Sequence, residues 1–390
     1  MSKKRDQRRP GGRKVRVDLR KNRLGLARDK SELTRRLKRG DESVDDENQN
    51  QNVRAKGELS RKRTIIIEEE GATRSDLHDG LVLAMRGLVV EVDDGVRRWA
   101  CTVRRMVRTR LTAERQAITV GDRVRFAPVL QGDAEGFIDI EGELLPEGVI
   151  EDLEERDTVL VREYERRRHV MAANVDTAVI TVSASMPTLR PHLIDRYLVS
   201  IHKGEMRPII CINKVDLDEA GVAAGVAQRY RDIGYNVVET SVTEQRGIDL
   251  LRAAIHDKTS VFVGPSGCGK SSLINALAPG MKLKVGTMTE LARGKHTTTT
   301  ARLLRWPFGG YVVDTPGTRQ FELPGVDAEE LEAYFAEFVE LIRDCRFKNC
   351  THTHEVGCAV KSAVEAGQIA PERYESYCKM HAECAARPKY

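Results

Sequence analysis

Residues 264–272 read Gly264-Pro265-Ser266-Gly267-Cys268-Gly269-Lys270-Ser271-Ser272, and the fold is decided there. The stretch fits the phosphate-loop pattern G-x-x-x-x-G-K-[ST] through Gly264, Gly269, Lys270 and Ser271. The apolar run 260–263 (SVFV) before it predicts a strand, and 272–278 (SLINALA) behind it predicts the start of a helix. Glycines let backbone N–H groups close around the α- and β-phosphates, and the helix N-terminus adds positive potential. In that pattern Lys270 reaches the β- and γ-phosphates and the Ser271 hydroxyl binds Mg²⁺. A chance glycine-rich turn would have to reproduce both the motif and its strand–loop–helix setting, so the stretch is a nucleotide-phosphate site.

Outward from this loop, strands alternate with helices from residue 174 on, the pattern of a parallel sheet covered on both faces. Residues 177–183 (TAVITVS) form a continuously apolar strand, 191–202 a helix with Leu193, Ile194, Tyr197, Leu198 and Ile201 on one stripe, and 209–212 the next strand. At that strand's C-terminal end stands Asn213-Lys214-Val215-Asp216, where open α/β sheets place ligand residues. The Asp216 carboxylate can accept from both N1–H and the exocyclic amine of guanine. Adenine has no N1 donor, and discrimination on that basis reaches roughly 10⁴-fold. Asn213 fixes the loop, Lys214 lies along the ring, and the Ser241 N–H, after a strand at 236–240, is expected at the guanine O6. Downstream come 294–300 (GKHTTTT) and a strand at 310–313 running into Asp314-Thr315-Pro316-Gly317. Asp314 suits an outer-shell Mg²⁺ carboxylate and the Gly317 N–H suits the γ-phosphate. Thr298, chosen among Thr297, Thr298 and Thr299, completes the Mg²⁺ shell. Ordinary GTPases present the phosphate loop first and the guanine box late; here the guanine box and its serine come first, so the boxes are circularly permuted. A compact domain with neighbouring termini tolerates that rearrangement.

Beyond this domain the chain carries Cys345-x₄-Cys350-x-His352-x₅-Cys358, a Cys₃His set whose short spacings can fold around one Zn²⁺. His354 in place of His352 stays open. Cys378, His381 and Cys384, at i, i+3 and i+6 of a helix predicted at 371–386, read as one packed face rather than a second site. Five of eight cysteines lie in this C-terminal part, which argues against a disulfide framework. Before the GTPase-like region, 81–92, 99–107, 122–126 and 136–140 are spaced as strands of a small closed β-barrel of OB type. Arg97, Arg98, Arg104, Arg105, Arg108 and Arg110 cluster near its second strand, with Trp99 as the nearby stacking aromatic. They form either a nucleic-acid contact or a solvated strand face. Residues 1–63 carry 22 Lys plus Arg against 10 Asp plus Glu, about +12, in a chain whose net charge is +5. That tail is too poor in apolar residues to fold alone, and it is expected to settle on RNA phosphates. No apolar run approaches the roughly 18 residues of a membrane span, and no secretory signal is visible, so a soluble, cytoplasmic protein is expected.

The order N-K-V-D, G-P-S-G-C-G-K-S-S, H-T-T-T, D-T-P-G and C-x₄-C-x-H-x₅-C behind an OB-like barrel resembles the ribosome small subunit-dependent GTPase A family (RsgA, also called YjeQ). The resemblance covers about 81–390. It implies a GTPase using GTP, Mg²⁺ and Zn²⁺ that acts late in maturation of the 30S ribosomal subunit, with the barrel and zinc domain gripping 16S rRNA and the protein a monomer. The expected layout is a disordered basic extension at 1–75, an OB-fold RNA-binding domain at 76–155, a circularly permuted P-loop GTPase α/β domain at 165–325 and a helical zinc-binding domain at 326–390. The long extension departs from the family pattern. Two other classes compete: an ATPase or nucleotide kinase, which needs the N-K-V-D box to be accidental, and an RNA-binding protein that uses nucleotide only as a switch ligand. Many GTPases place a Gln after D-x-x-G, but here that position is Thr318. His296, immediately before the threonine run, is the expected catalytic residue beside Lys270 and Thr298, with Gln320 second.

Overall fold

A computed structural model describes residues 77–104, 107, 118–129, 137–138, 143–164, 167–281, 301–314 and 326–386, together with the backbone of two strands nearer the N-terminus. The chain divides into two units, the first made of residues 1–78 and 104–117 and the second of the remainder. In the first unit Arg13–Asp18 (β1) and Lys62–Ile67 (β2) pair antiparallel. These runs, RKVRVD and KRTIII, include the β-branched Val15, Val17, Thr64, Ile65, Ile66 and Ile67 and depart from the expectation of an extension without regular structure. The rest of 1–75 lies outside the described residues.

The second unit begins with the barrel. His78–Arg86 (β3), Val89–Asp93 (β4), Arg98–Val103 (β5), Arg123–Pro128 (β6) and, after the short pair Phe137–Ile138 (β7) and Leu144–Leu145 (β8), Glu147–Leu153 (β9) supply its strands. They run β3-β4-β5-β9-β6, and a β3–β6 pairing closes the ring. The expected strand 81–92 is two, split by a turn at Gly87, whose φ is +59°. The fifth barrel strand is β9, in which Gly148 and Ile150 are buried while Glu147, Glu151 and Asp152 are half-buried. Val82, Val90, Val92, Trp99, Cys101, Val124, Phe126 and Ile150 fill the interior. Trp99 is therefore core, 5.3 Å from Phe126 between ring centroids, with Nε1 donating to Asp94 Oδ2 at 2.7 Å. It is not the stacking platform that its neighbouring arginines suggested.

A hairpin, Val159–Tyr164 (β10) and Arg167–Ala173 (β11), leads into the nucleotide-type domain. There Thr177–Ser183 (β12), Pro191–Lys203 (α1), Arg207–Asn213 (β13), Val222–Asp232 (α2), Asn236–Thr240 (β14), Ile248–Ala254 (α3), Lys258–Val263 (β15), Lys270–Leu277 (α4), Arg302–Arg305 (β16) and Gly310–Asp314 (β17) follow in order. The sheet runs β14-β13-β12-β15-β17-β16, parallel except for β16. Every residue of β12 is buried, as its unbroken β-branched run requires of a central strand. Two apolar clusters cover its faces, one with α1 and α2 and the other with α3 and α4. No helix among the described residues is long and apolar enough to cross a membrane.

The C-terminal part has two short 3₁₀ turns at Leu331–Tyr334 and Ile342–Asp344 and two helices, Ala359–Glu365 (α5) and Pro371–Ala385 (α6). It docks on α1 through a charged core. Arg373 of α6, 2% exposed, donates from Nη1 to Asp195 Oδ1 at 2.6 Å and from Nε and Nη2 to Glu337 at 2.7 and 2.9 Å. Tyr230 of α2 donates to the same Asp195 oxygen at 2.5 Å. Removing one member strands a buried charge, which costs about 3–5 kcal/mol. Arg373→Ala is therefore expected to lower the denaturation midpoint of the C-terminal part, with amide exchange of α6 accelerated. Unchanged protection of α6 would show that the apolar contacts suffice.

Candidate nucleotide site and metal centre

Parallel register places the C-terminal ends of the strands on one edge. Ser183, Asn213 and Thr240 lie side by side across β12, β13 and β14, while β15 and β17 deliver Gly264 and Asp314 to the same edge. This is the edge where α/β sheets bind ligands, and the permuted order of the boxes leaves it intact.

The phosphate loop has the required backbone. Gly264 and Gly269 have φ of +147° and +95°, and a Cβ on Gly269 would come within 2.4 Å of Asn213 Nδ2. On Gly264 it would come within 2.0 Å of the Thr181 carbonyl oxygen. The first helical bond of α4 runs from Leu273 N–H to the Gly269 carbonyl, 2.9 Å, so the earlier N–H groups of the turn are the ones a phosphate can take. Lys270 Nζ lies over the loop, donating to the Gly264 and Pro265 carbonyls at 2.7 and 2.8 Å. Ser266 and Gly267 are exposed along the loop, Ser271 is half-buried and Ser272 exposed. Cys268 is buried, and burial raises its thiol while Lys270 opposes the shift; it packs the loop rather than serving as a nucleophile.

The guanine box is locked to that loop. Asn213 Nδ2 donates to the Cys268 carbonyl at 2.9 Å, and Thr240 Oγ1 donates to Asn213 Oδ1 at 3.1 Å. Lys214, at φ +62°, donates to the Gly267 carbonyl at 2.6 Å and to the Met186 carbonyl at 2.7 Å. The segment after β12 therefore also flanks the site, a contribution that its sequence, SASMPTLR, does not announce. Val215 begins a 3₁₀ turn that presents Asp216 to solvent. Hydrogen bonding from Ser241 and Thr243, with Lys214 nearby, holds the Asp216 carboxyl below its usual range, so it stays an acceptor. The Ser241 N–H donates to the Arg246 carbonyl at 3.0 Å. That N–H, expected at the guanine O6, is bonded to a turn in this structure, and the Ser241 hydroxyl bonds Asp216 of the box. Asp314 keeps solvent exposure at the end of β17, yet enough protein surrounds its carboxyl to raise it, with Arg302 opposing. His296, Thr297, Thr298, Thr299, Gly317 and Gln320 lie outside the described residues.

The cysteine-rich motif converges. Ligand atoms of Cys345, Cys350, His352 and Cys358 all lie within 4.8 Å of one another. Cys345 Sγ is 4.0 Å from Cys358 Sγ, and His352 Nδ1 is 3.5 and 3.3 Å from those two sulfurs. A tetrahedron with Zn–S near 2.3 Å and Zn–N near 2.0 Å has edges of roughly 3.5–3.8 Å, so the set fits Zn²⁺. His352 Nε2 meets Glu332 Oε2 at 2.8 Å, the carboxylate–imidazole pairing that orients a metal ligand. Tyr374 and Tyr377 donate to the His352 and Thr351 carbonyls at 2.8 and 3.0 Å and fix the loop. His354 is 81% exposed and turned to Thr353, which decides the choice between the two histidines. Cys378, His381 and Cys384 join no metal-type group among the described residues; Cys384 is buried in the apolar cluster, and His381 packs 5.9 Å from Tyr377.

Comparison with known proteins agrees with this geometry. A sequence model of the RsgA GTPase family matches residues 153–324. The small ribosomal subunit biogenesis GTPase RsgA of Chlorobaculum tepidum is 39% identical over 308 residues, covering 76% of this chain and 95% of that protein. The chain belongs to the RsgA GTPase family. The Azotobacter vinelandii RsgA is 37% identical over 352 residues, 89% of this chain and 96% of its own. Among solved structures, YjeQ from Thermotoga maritima is 36% identical with a TM-score of 0.65, covering 80% of this chain and 100% of that one. YloQ, described as a circularly permuted GTPase, is 29% identical with a TM-score of 0.62, covering 83% and 100%. The RsgA family is one of GTP-hydrolysing enzymes, and a permuted order of the boxes agrees with the description of YloQ.

Proposed function

We propose that this chain hydrolyses GTP to GDP and phosphate while acting on the small ribosomal subunit during its maturation. The clasp of the guanine box on the phosphate loop, through Asn213 and Lys214, carries the reading: one edge offers a guanine acceptor and a phosphate cradle at fixed separation. The partner follows from the relatives, named as small ribosomal subunit biogenesis GTPases, since the chain spans 95% and 96% of two of them. The sites take GTP with Mg²⁺ and a structural Zn²⁺. Ser271 and Thr298 would hold the Mg²⁺ with help from Asp314, and Lys270 would neutralise charge on the β- and γ-oxygens. Cys345, Cys350, His352 and Cys358 hold the zinc. The barrel and the zinc module contact 16S rRNA, the basic N-terminal arm adds phosphate contacts, and the protein works as a cytoplasmic monomer.

His296 orients the attacking water, because it immediately precedes the threonine run in sequence and an imidazole can take a proton near neutral pH. The 30S subunit stimulates that step. GTPase rates measured with and without purified 30S subunits are expected to differ strongly, and His296→Ala is expected to lose about 10²-fold or more of the stimulated rate while retaining GTP and 30S binding. A wild-type stimulated rate in that variant would pass the role to Gln320 or to the ribosome. No turnover on 30S with the unmodified protein would leave nucleotide as a switch ligand only.

A further inference from the structure

We propose that the hydrogen bond between Tyr311 and Asp93 is a clasp through which the β-barrel follows the nucleotide state of the GTPase sheet. The inference rests on the GTPase reading above and adds to it a route from the phosphate end of the sheet to the barrel.

The route begins with chain continuity. β16 starts at Arg302, directly after the threonine run and Ala301, and β17 ends at Asp314, directly before Thr315-Pro316-Gly317. The two strands that leave one γ-phosphate segment and enter the other are antiparallel neighbours, with Arg302 opposite Asp314. On its outer side β16 pairs with barrel strand β3, Arg302 opposite Ala84. Leu83 of β3 shares a buried cluster with Ala301, Leu303 and Val313, and Leu81 and Tyr311 pack at its margin. The clasp adds a polar contact at the far end of β17. Tyr311 Oη donates to Asp93 Oδ2 at 3.0 Å, and Asp93 Oδ1 accepts from Gly95 N–H at 2.8 Å. One carboxylate thus joins the switch-bearing hairpin to the β4–β5 turn, which carries Arg97. Burial and the Asp93 carboxylate push the Tyr311 hydroxyl up to about 12, so it remains a donor at working pH.

The barrel is also held at a second place that has no chain link to the γ-phosphate segments. Arg156 forks onto Asp122 at 2.7 and 2.9 Å, and Asn174 Nδ2 donates to the Gly121 carbonyl at 2.8 Å. Ala173 N–H donates to the Val120 carbonyl at 2.8 Å. These contacts tie the barrel to the segment that enters central strand β12. With one attachment on that segment and another on β16–β17, displacement of the hairpin relative to β12 tilts the barrel. Coupling exists only so far as the nucleotide changes the two attachments unequally, and this arrangement makes them unequal.

The test is hydrogen exchange on the full chain with Mg²⁺ and either GDP or a non-hydrolysable GTP analogue, with affinity for each nucleotide measured alongside. The unmodified protein is expected to show about fivefold or larger differences in exchange between the two nucleotides for amides of β3 and β4. Tyr311→Phe keeps the ring and removes the donor; it is expected to erase most of that difference with little change in nucleotide affinity. Asp93→Ala is expected to do the same, and the double variant to do no more than either single change, since both cut one interaction. If Asp93→Ala loosens the turn at Gly95, Tyr311→Phe carries the test. Full retention of the difference in Tyr311→Phe overturns the clasp, as does an unmodified protein that binds both nucleotides with identical barrel exchange. Failure to bind guanine nucleotide at all overturns the GTPase reading and the clasp together.

Discussion

Replacing Cys350 with serine is expected to yield a protein without zinc and with an unfolded C-terminal module. Cys350, His352 and Cys358 are buried, with Cys345 partly so. Burial and the neighbouring thiols push the Cys350 thiol up to about 12, and burial raises Cys358 as well. Three thiolates at one point are therefore stable only around a cation, and the affinity of that cation is folding free energy for the loop. Structural zinc sites contribute about 10–16 kcal/mol at neutral pH, as much as a whole domain's stability. Cys350 and Cys358 also belong to the apolar cluster of Phe335, Phe338, Tyr377 and Met380, so release of the loop opens that core. The phosphate loop draws on a different cluster, with Leu273, Ile274 and Leu277 packed on Phe262, so GTP binding is expected to persist. Metal analysis by atomic emission, with amide exchange of α5 and α6, reads the result. One equivalent of zinc in the variant would sink the assignment.

What could be read from the chain follows from where its constraints are local. The phosphate loop, the N-K-V-D box and the cysteine spacings are short-range patterns in which a few residues must lie on one turn, and the structure brings each set together. β12 was legible because a strand buried on both faces needs an unbroken apolar run. β9 was not, since EGVIEDL mixes its inward residues with acids and resembles a surface loop. Trp99 misled for a related reason. Arginines beside an indole look like a nucleic-acid platform, but the ring is buried and its N–H is satisfied by Asp94, five residues away. The Ser241 amide had its acceptor in Arg246, a turn contact that no motif specifies. Asp195 was least legible of all: it lies off its helix's apolar stripe, and its partners Tyr230 and Arg373 come 35 and 178 residues later. Long-range ion pairs leave no periodic trace in a sequence.

Asp216→Asn is expected to weaken GTP binding by about 10²–10⁴-fold, leaving the fold and the phosphate loop unchanged. Guanine presents two donors to this position, N1–H and the exocyclic amine, and a carboxylate meets both with acceptors. The side chain is solvent-exposed, and its bond from Thr243, 3.0 Å, is one that an asparagine oxygen also accepts, so the substitution removes charge and one acceptor without disturbing packing. The new amide then points a donor at a donor. An unpaired donor costs about 1–3 kcal/mol, and loss of the charge-assisted bond to N1–H adds a comparable amount. ATP gains at most one bond, from the new amide to its N1, because its C2 carries only hydrogen and its amine stands where guanine has the O6 acceptor. Xanthosine triphosphate does gain: its C2 carbonyl stands where guanine has the amine and accepts from the new amide, while its N1–H still finds an oxygen. Dissociation constants for GTP, ATP and xanthosine triphosphate, measured on both proteins with Mg²⁺ present, are expected to invert the order of GTP and the xanthine nucleotide while ATP stays weak. Undiminished GTP affinity in the variant would mean that the base is read elsewhere, and ATP binding as tight as GTP in the unmodified protein would make the N-K-V-D box an accident of sequence.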